Sequence, residues 1–283
     1  MHRRVIHNQR LIAASKARLP LLTGATLYGR GVFTTLAVYR GQPFLWDQHW
    51  ARLLAHAGQA GVSHQEFTEA AVREALGQLI EANQCEEGRA RVTLLSRAAR
   101  GVWDSGQSKR GEKETDLLIM TGDARPTSAA GLTLTLSPYR VNSLAPLAGV
   151  KSLNYLEHLL SWEEARARDF DEAVRLNEQG EVVSATMANL FWAREGTLYT
   201  PALSTGTLAG TTRARVIELV AELAVPHVEG VFDLAHLGDA DEIFLTSAGL
   251  GVAMVTSFDF HHYTTHAGSL AVRVQEAFRQ LTL

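Results

Sequence analysis

Lys151, in the stretch Gly149-Val150-Lys151-Ser152-Leu153-Asn154-Tyr155-Leu156-Glu157, has the most chemistry to offer. From Leu153 onward Leu156, Leu159 and Leu160 recur at helical spacing and read as core, while Glu163, Glu164, Arg166 and Arg168 form a charged face. The lysine therefore stands where a loop enters a helix. In that place it is either a solvated surface charge or a partly desolvated amine whose lowered pKa lets it form a Schiff base with a carbonyl cofactor. Two further stretches could hold phosphate. At Gly210-Thr211-Thr212 a glycine admits close backbone approach, the first N–H groups of a helix point outward, and two hydroxyls stand beside them. At Thr246-Ser247-Ala248-Gly249 a strand-end turn offers hydroxyls and a nest of N–H groups. Each also reads as a plain helix cap or β-turn. Arg52, one turn after His49 on a largely apolar helix, either reaches inward as a forked phosphate ligand or extends to water.

Composition fits a soluble enzyme. The chain has 283 residues, 46% of them hydrophobic, enough to bury one large core or two smaller ones. Its net charge of −3 lacks the basic excess that neutralising phosphates of a nucleic acid would need. The single Cys85 rules out an internal disulfide framework and a cysteine-based zinc site, and suits a reducing compartment. No apolar run approaches the roughly 20 residues of a membrane span. His7, Asn8, Gln9 and Arg10 interrupt the start before any signal-like apolar segment develops, so the expected location is cytoplasmic. His261, His262 and His266 lie in a polar turn without matching carboxylates, and no metal site is expected.

The elements that must position these groups follow from period and punctuation. Val5 to Ile12 reads as a hairpin arm, and Leu27 to Tyr39 as β-rich beyond its two glycines. Asp47 is the expected N-cap of a helix that buries Trp50, Leu53, Leu54 and Ala57; a second helix spans about Gln65 to Asn83. Strands are expected at Arg89 to Ser96 and Asp116 to Thr121, joined by a polar loop carrying Arg97 and Arg100. Residues 1–120 thus form an α+β domain, 121–131 a Gly/Pro/Ser/Ala-rich linker, and 132–283 a second domain. In the second domain, strands are expected at Leu132 to Leu136, Glu172 to Leu176, Val182 to Thr186, Leu190 to Ala193, Leu198 to Thr200, Glu242 to Thr246 and Val252 to Phe258. Helices follow Lys151 and Gly210, and Leu270 to Leu281 closes the chain.

The order of the motifs resembles the fold-type IV pyridoxal-phosphate enzymes, the class-IV aminotransferase group that includes branched-chain and D-amino acid aminotransferases and aminodeoxychorismate lyases. The resemblance is carried by Tyr28 to Thr35, His49-Trp50-Ala51-Arg52-Leu53, Lys151-Ser152-Leu153-Asn154, Asn189-Leu190-Phe191 followed by Tyr199-Thr200-Pro201, Leu208 to Arg213, and Phe244 to Gly249. It implies a two-domain α+β fold with pyridoxal 5'-phosphate on Lys151. The same lysine would serve as the acid and base that moves protons. It also implies that Arg52 and the N–H groups of Thr211 and Thr212 hold the cofactor phosphate, with the turn at Ser247 and Ala248 completing the cup, in a homodimer acting on a small-molecule substrate.

Two departures from the family pattern stand out. Arg30 replaces the acidic residue usual between the two glycines of the first motif. Ser184 stands where the family sets a glutamate against the pyridine nitrogen of the cofactor. A carboxylate there keeps the nitrogen protonated and the ring a strong electron sink; a hydroxyl supplies no charge. That should penalise full transamination more than an elimination. Together with the wording around Phe33-Thr34-Thr35, Lys151 to Glu157 and Ala188 to Trp192, it directs the expectation to the lyase branch, which converts 4-amino-4-deoxychorismate to 4-aminobenzoate and pyruvate. Thr34 would then hydrogen-bond the substrate, and Arg97 or Arg100 would pair with its carboxylates. The alternatives are an aminotransferase of D-amino acids, branched-chain amino acids or amines, and a protein that binds the cofactor without efficient catalysis.

Overall fold

The computed structural model describes residues 1–98, 113–125, 131–264 and 266–283. The chain divides into two compact units, Met1–Arg125 with Val150–Asn154, and Pro126–Gly149 with Tyr155–Leu283.

In the first unit the elements are β1 (Arg4–His7), β2 (Arg10–Ala13), α1 (Gly24–Tyr28), β3 (Gly31–Tyr39), β4 (Gln42–Pro43), α2 (Trp46–Gln59), α3 (Glu69–Ala82), β5 (Gly88–Ser96) and β6 (Thr115–Asp123). The strands form one antiparallel sheet in the order β2-β1-β6-β5-β3-β4. Its two-residue hairpin turns, Asn8-Gln9 and Arg40-Gly41, hold all four central residues at positive φ, the backbone that matches the strands' twist. Helix α2 buries Trp46, Trp50, Leu53 and Ala57, and α3 buries Val72, Leu76, Leu79 and Ile80; both join the sheet's Val32, Leu36, Val92 and Ile119 in one core.

Three local expectations shift. Helix α1 was not foreseen; it is nucleated by a reciprocal cap between Thr23 and Thr26, a short-range device without apolar periodicity. Helix α2 begins at Trp46 after Leu45 at φ 54, so Asp47 lies in the first turn rather than at the cap. Thr68, whose hydroxyl accepts from Ala71 N–H, caps α3, so the helix begins at Glu69, four residues inside the boundary expected near Gln65.

Strand β4 pairs only with Val38 and Tyr39, which leaves the outer edge at the start of β3 open. Residues 151–153 fill it. Phe33 N–H donates to the Lys151 carbonyl at 3.0 Å, Leu153 N–H to the Gly31 carbonyl at 2.9 Å, and Ser152 bridges Val32. Only glycine fits at position 31, because a Cβ would fall 2.5 Å from Leu153 Cδ1 and 2.7 Å from the Leu94 carbonyl.

The second unit continues with β7 (Leu132–Leu136), α4 (Leu156–Ala167), β8 (Glu172–Leu176), β9 (Val182–Ala185), β10 (Asn189–Arg194), β11 (Thr197–Pro201), α5 (Thr211–Glu222), β12 (His227–Gly230), α6 (Leu234–Gly238), β13 (Glu242–Ser247), β14 (Gly251–Phe258), β15 (His261–His262) and α7 (Leu270–Gln280). The sheet runs β12-β11-β10-β13-β14-β7-β8-β9, with β15 on β14, and mixes parallel and antiparallel pairs. Its core gathers Leu134, Val174, Leu190, Trp192, Leu245 and Val255.

The strip read as a linker, 121–131, begins inside β6, and residues 126–130 lie outside the described residues. The leucines of α4 correct the sequence reading. Leu156, Leu159 and Leu160 are 65%, 39% and 46% exposed, whereas Ser161 and Ala165 are buried. Small side chains let α4 lie close to the chain, and the apolar stripe is left outward. Among the described residues no helix is long and apolar enough to cross a membrane, and no cluster of His, Cys, Asp or Glu is placed to hold a metal ion.

Candidate active site

In the first unit, α2 turns one face toward Lys151. His49, Arg52 and His56 recur at three- and four-residue spacing and so share that face. Lys151 N–H donates to His56 Nδ1 at 3.1 Å, so the backbone of the lysine is held by β3 on one side and by α2 on the other. Its Nζ lies 4.6 Å from the centre of the Phe33 ring, and the Arg91 guanidinium lies 3.5 Å from the same centre.

Burial pushes the Lys151 amine down to about 7, and the neighbouring Arg52 and Arg91 guanidiniums push in the same direction. Near neutral pH a large share of the amine is therefore uncharged, the form that attacks a carbonyl. Arg52 is lowered to about 10 by burial. His49 and His56 fall to about 3 and about 4, by burial first and then by the charges of Arg52 and Lys151, so both stay neutral. Neutral His56 accepts at Nδ1 and so carries its proton on Nε2.

Thr34 is committed. Arg52 Nη2 donates to its Oγ1 at 3.0 Å, and the same oxygen lies 2.7 Å from His49 Nδ1. Thr34, 1% exposed, thus bridges Arg52 and His49 and fixes the guanidinium. Thr34, expected to bond substrate, is in this structure a partner of Arg52 and His49. Arg97 is also engaged, with Nη1 3.4 Å from buried Asp116, whose Oδ1 already accepts from Asn8 at 2.7 Å. Arg100 lies outside the described residues. Sequence reading missed Phe33, His49, His56 and Arg91 as partners of the lysine. The i, i+4 step from Arg52 to His56 was the available signal, and Arg91 looked like any outward strand residue.

In the second unit, the two stretches proposed for phosphate meet through Asn189. Its Nδ2 donates to the Leu208 carbonyl at 2.8 Å and to Thr207 Oγ1 at 3.2 Å, and a Cβ on Gly210 would fall 2.0 Å from its Oδ1. On the neighbouring strand Asn189 pairs with Thr246, directly before Ser247 and Ala248. Gly210 is the N-cap of α5 and offers no side-chain cap to its first turn, in which Thr211 and Thr212 are buried. The Ser247 hydroxyl accepts from Leu250 N–H at 3.2 Å and shapes the turn around Ala248. The buried Thr246 Oγ1 has no hydrogen-bond partner. This donor set suits a phosphate, as the amine cluster of the first unit suits an aldehyde.

Ser184 sits on β9 and donates its hydroxyl to the Ala185 carbonyl at 2.8 Å. Its register partner on β8 is Arg175. Glu181 accepts from Asn177 Nδ2 at 2.7 Å, and the buried Glu172 carboxylate takes both the N–H and the hydroxyl of Thr186.

The family model for class IV amino-transferases matches residues 31–258. An aminodeoxychorismate lyase of Bacillus subtilis (strain 168) is 28% identical over 277 residues, covering 96% of this chain and 92% of that protein. A D-alanine aminotransferase of Bacillus licheniformis is 26% identical over 284 residues, covering 99% and 97%. The crystal structure of a branched-chain aminotransferase from Thermoproteus uzoniensis superposes with a TM-score of 0.89 at 26% identity, covering all of this chain and 95% of that one. A lysine of depressed basicity, a forked arginine and an uncapped helix start thus recur in a chain that matches these enzymes over nearly its whole length, and the chain belongs to the class-IV aminotransferase family, whose enzymes depend on pyridoxal 5'-phosphate.

Proposed function

We propose that the protein is a 4-amino-4-deoxychorismate lyase, releasing 4-aminobenzoate and pyruvate. The observation that carries this reading is Ser184, a hydroxyl bonded to the Ala185 carbonyl where the family pattern has a glutamate, a change that penalises amino-group transfer more than elimination. Similarity to an aminodeoxychorismate lyase over 96% of the chain supports it.

Pyridoxal phosphate, when bound, supplies an aldehyde that condenses with amines and a ring that accepts electrons. The residues do the rest. Lys151 Nζ, uncharged near neutral pH, takes the proton whose loss makes the product ring aromatic and returns one to the three-carbon fragment that leaves as pyruvate. Arg52, fixed by Thr34, and the N–H groups of Thr211, Thr212 and Ala248 hold the phosphate. Arg91 is the substrate-carboxylate ligand in this reading, since it lies against Phe33 beside the lysine while Arg97 is drawn to Asp116. A homodimer would cover the leucine face of α4; a mass measurement in solution reads the dimer, and Leu156→Glu should shift it toward monomer if that face is the interface.

Loading the protein with pyridoxal phosphate and supplying enzymatically made 4-amino-4-deoxychorismate should give 4-aminobenzoate and pyruvate in equal amounts. No product, with amino-group transfer from D-alanine or a branched-chain amino acid to a keto acid, would replace the lyase by an aminotransferase. That second reading is favoured by 26% identity to a D-alanine aminotransferase over 99% of the chain.

Two substitutions probe the parts. Arg91→Leu should raise KM about 10- to 100-fold, the worth of one charged hydrogen bond, with cofactor affinity little changed. An unchanged KM removes Arg91 from the substrate pocket. Gly210→Ala should weaken cofactor binding about tenfold, because the new methyl must displace the Asn189 carboxamide that holds 207–208, at a cost of about 1–3 kcal/mol. Fluorescence titration of the cofactor-free protein measures it, and wild-type affinity would show that the helix start does not bind the phosphate.

A further inference from the structure

Buried Arg175 is the second unit's least explained charge. It is 2% exposed, its Nε has no hydrogen-bond partner, and it stands opposite Ser184 on the adjacent strand, so the two side chains share one face of the sheet. Its Nη1 lies 3.1 Å from His158 Nδ1. That nitrogen is also 2.7 Å from the Thr186 carbonyl, an acceptor, so it carries a proton and donates there. It cannot then accept from Arg175. Glu157 is 3.8 Å from Nη2, but its side chain is 79% exposed and the pairing is screened by water. On the strand itself, Glu172 lies three residues away, on the other face, and is committed to Thr186. Tyr155 on α4 stacks on His158, and β7 carries no titratable residue. A cation whose Nε has no partner therefore stands opposite Ser184, and the carboxylate nearest it, Glu157, is mostly exposed.

We propose that Arg175, standing opposite the uncharged Ser184, holds the ring nitrogen of the bound cofactor without a proton. This rests on the reading above, in which Ser184 occupies the place facing that nitrogen. A pyridine nitrogen gains a positive charge when it is protonated, so a fixed guanidinium opposes protonation, while one of its N–H donors stabilises the bare lone pair. A like charge within about 4–6 Å moves a pKa by roughly 1–3 units. The consequence is selectivity. With the nitrogen neutral, the ring holds a developing carbanion less well, and chemistry that expels a leaving group outruns the complete proton shuttle of amino-group transfer.

The test is ¹⁵N NMR of the full-length protein loaded with pyridoxal phosphate labelled at the ring nitrogen. Borohydride reduction and peptide mapping in parallel read attachment to Lys151. The wild-type signal should stay at the unprotonated position from pH 6 to 9; a pyridinium signal at neutral pH overturns the proposal with no substitution needed. In Arg175→Leu the pKa of the nitrogen should rise by about 1–3 units, a 10- to 1000-fold gain in the protonated form, whereas Arg175→Lys should keep it low. An Arg175→Leu signal identical to wild type removes the arginine from the role. Cofactor held on Lys151 with a protonated nitrogen overturns this inference alone, and cofactor absent from Lys151 overturns the functional reading with it.

Discussion

Lys151→Met should abolish turnover and, at neutral pH, make the cofactor-free protein more stable. The lysine is the only amine in the first unit's cluster, and a positioned acid and base alone contributes about 10²–10⁴-fold to rate, so activity should fall by at least about 10⁴ once covalent attachment is lost as well. Stability moves the other way. The folded chain holds this amine with a pKa of about 7, against about 10.4 in the unfolded chain. Between those values the unfolded chain binds a proton that the folded one lacks, so folding is penalised, fully below pH 7 and less as pH rises toward 10.4. Removing the amine lifts a penalty of at most about 5 kcal/mol below pH 7 and almost none above pH 10.4. Thermal melts of wild-type and variant apoprotein at pH 6.5 and 9.5 measure it. The melting gap should be larger at 6.5; an equal gap at both would mean that the lysine keeps an ordinary pKa and is not the primed amine.

Arg52→Gln should weaken binding of pyridoxal phosphate about 10²–10³-fold, since a forked guanidinium–phosphate contact carries two hydrogen bonds to charged groups, each worth about 1.5–3 kcal/mol. The same change removes a cation that pushes the Lys151 amine down, so the amine's pKa should rise above 7. Arg52→Lys should restore the charge without the fork and bind with intermediate affinity. Fluorescence titration of the apoprotein reads the affinity. An affinity within about threefold of wild type would place the phosphate elsewhere and leave the bond from Arg52 to Thr34 as a purely structural contact.

Much of the scaffold was legible because its signals are local. Leu132–Leu136 and Glu172–Leu176 emerge as strands at the residues where alternation or unbroken apolar runs placed them. Gly210-Thr211-Thr212 opens a helix because a glycine before two β-branched hydroxyl residues suits a helix start. The misplaced starts of α2 and α3 have one cause. Several residues in each stretch can cap a helix, and the choice falls to whichever one tertiary packing orients. The leucines of α4 failed differently, since periodicity shows that a face is apolar but not what covers it.

The sequence by itself determined the family and the cofactor class and singled out the lysine, because these rest on residue types in a fixed order along the chain. The tertiary structure decided how the lysine is primed and what its neighbours are free to do. His56 reaches the Lys151 N–H across 95 residues, Thr34 bridges Arg52 and His49, Arg97 is drawn to Asp116, and Arg175 arrives opposite Ser184. Proton affinities and hydrogen-bond partners depend on burial and on distances closed only when remote segments pack, and no spacing within a single stretch encodes them.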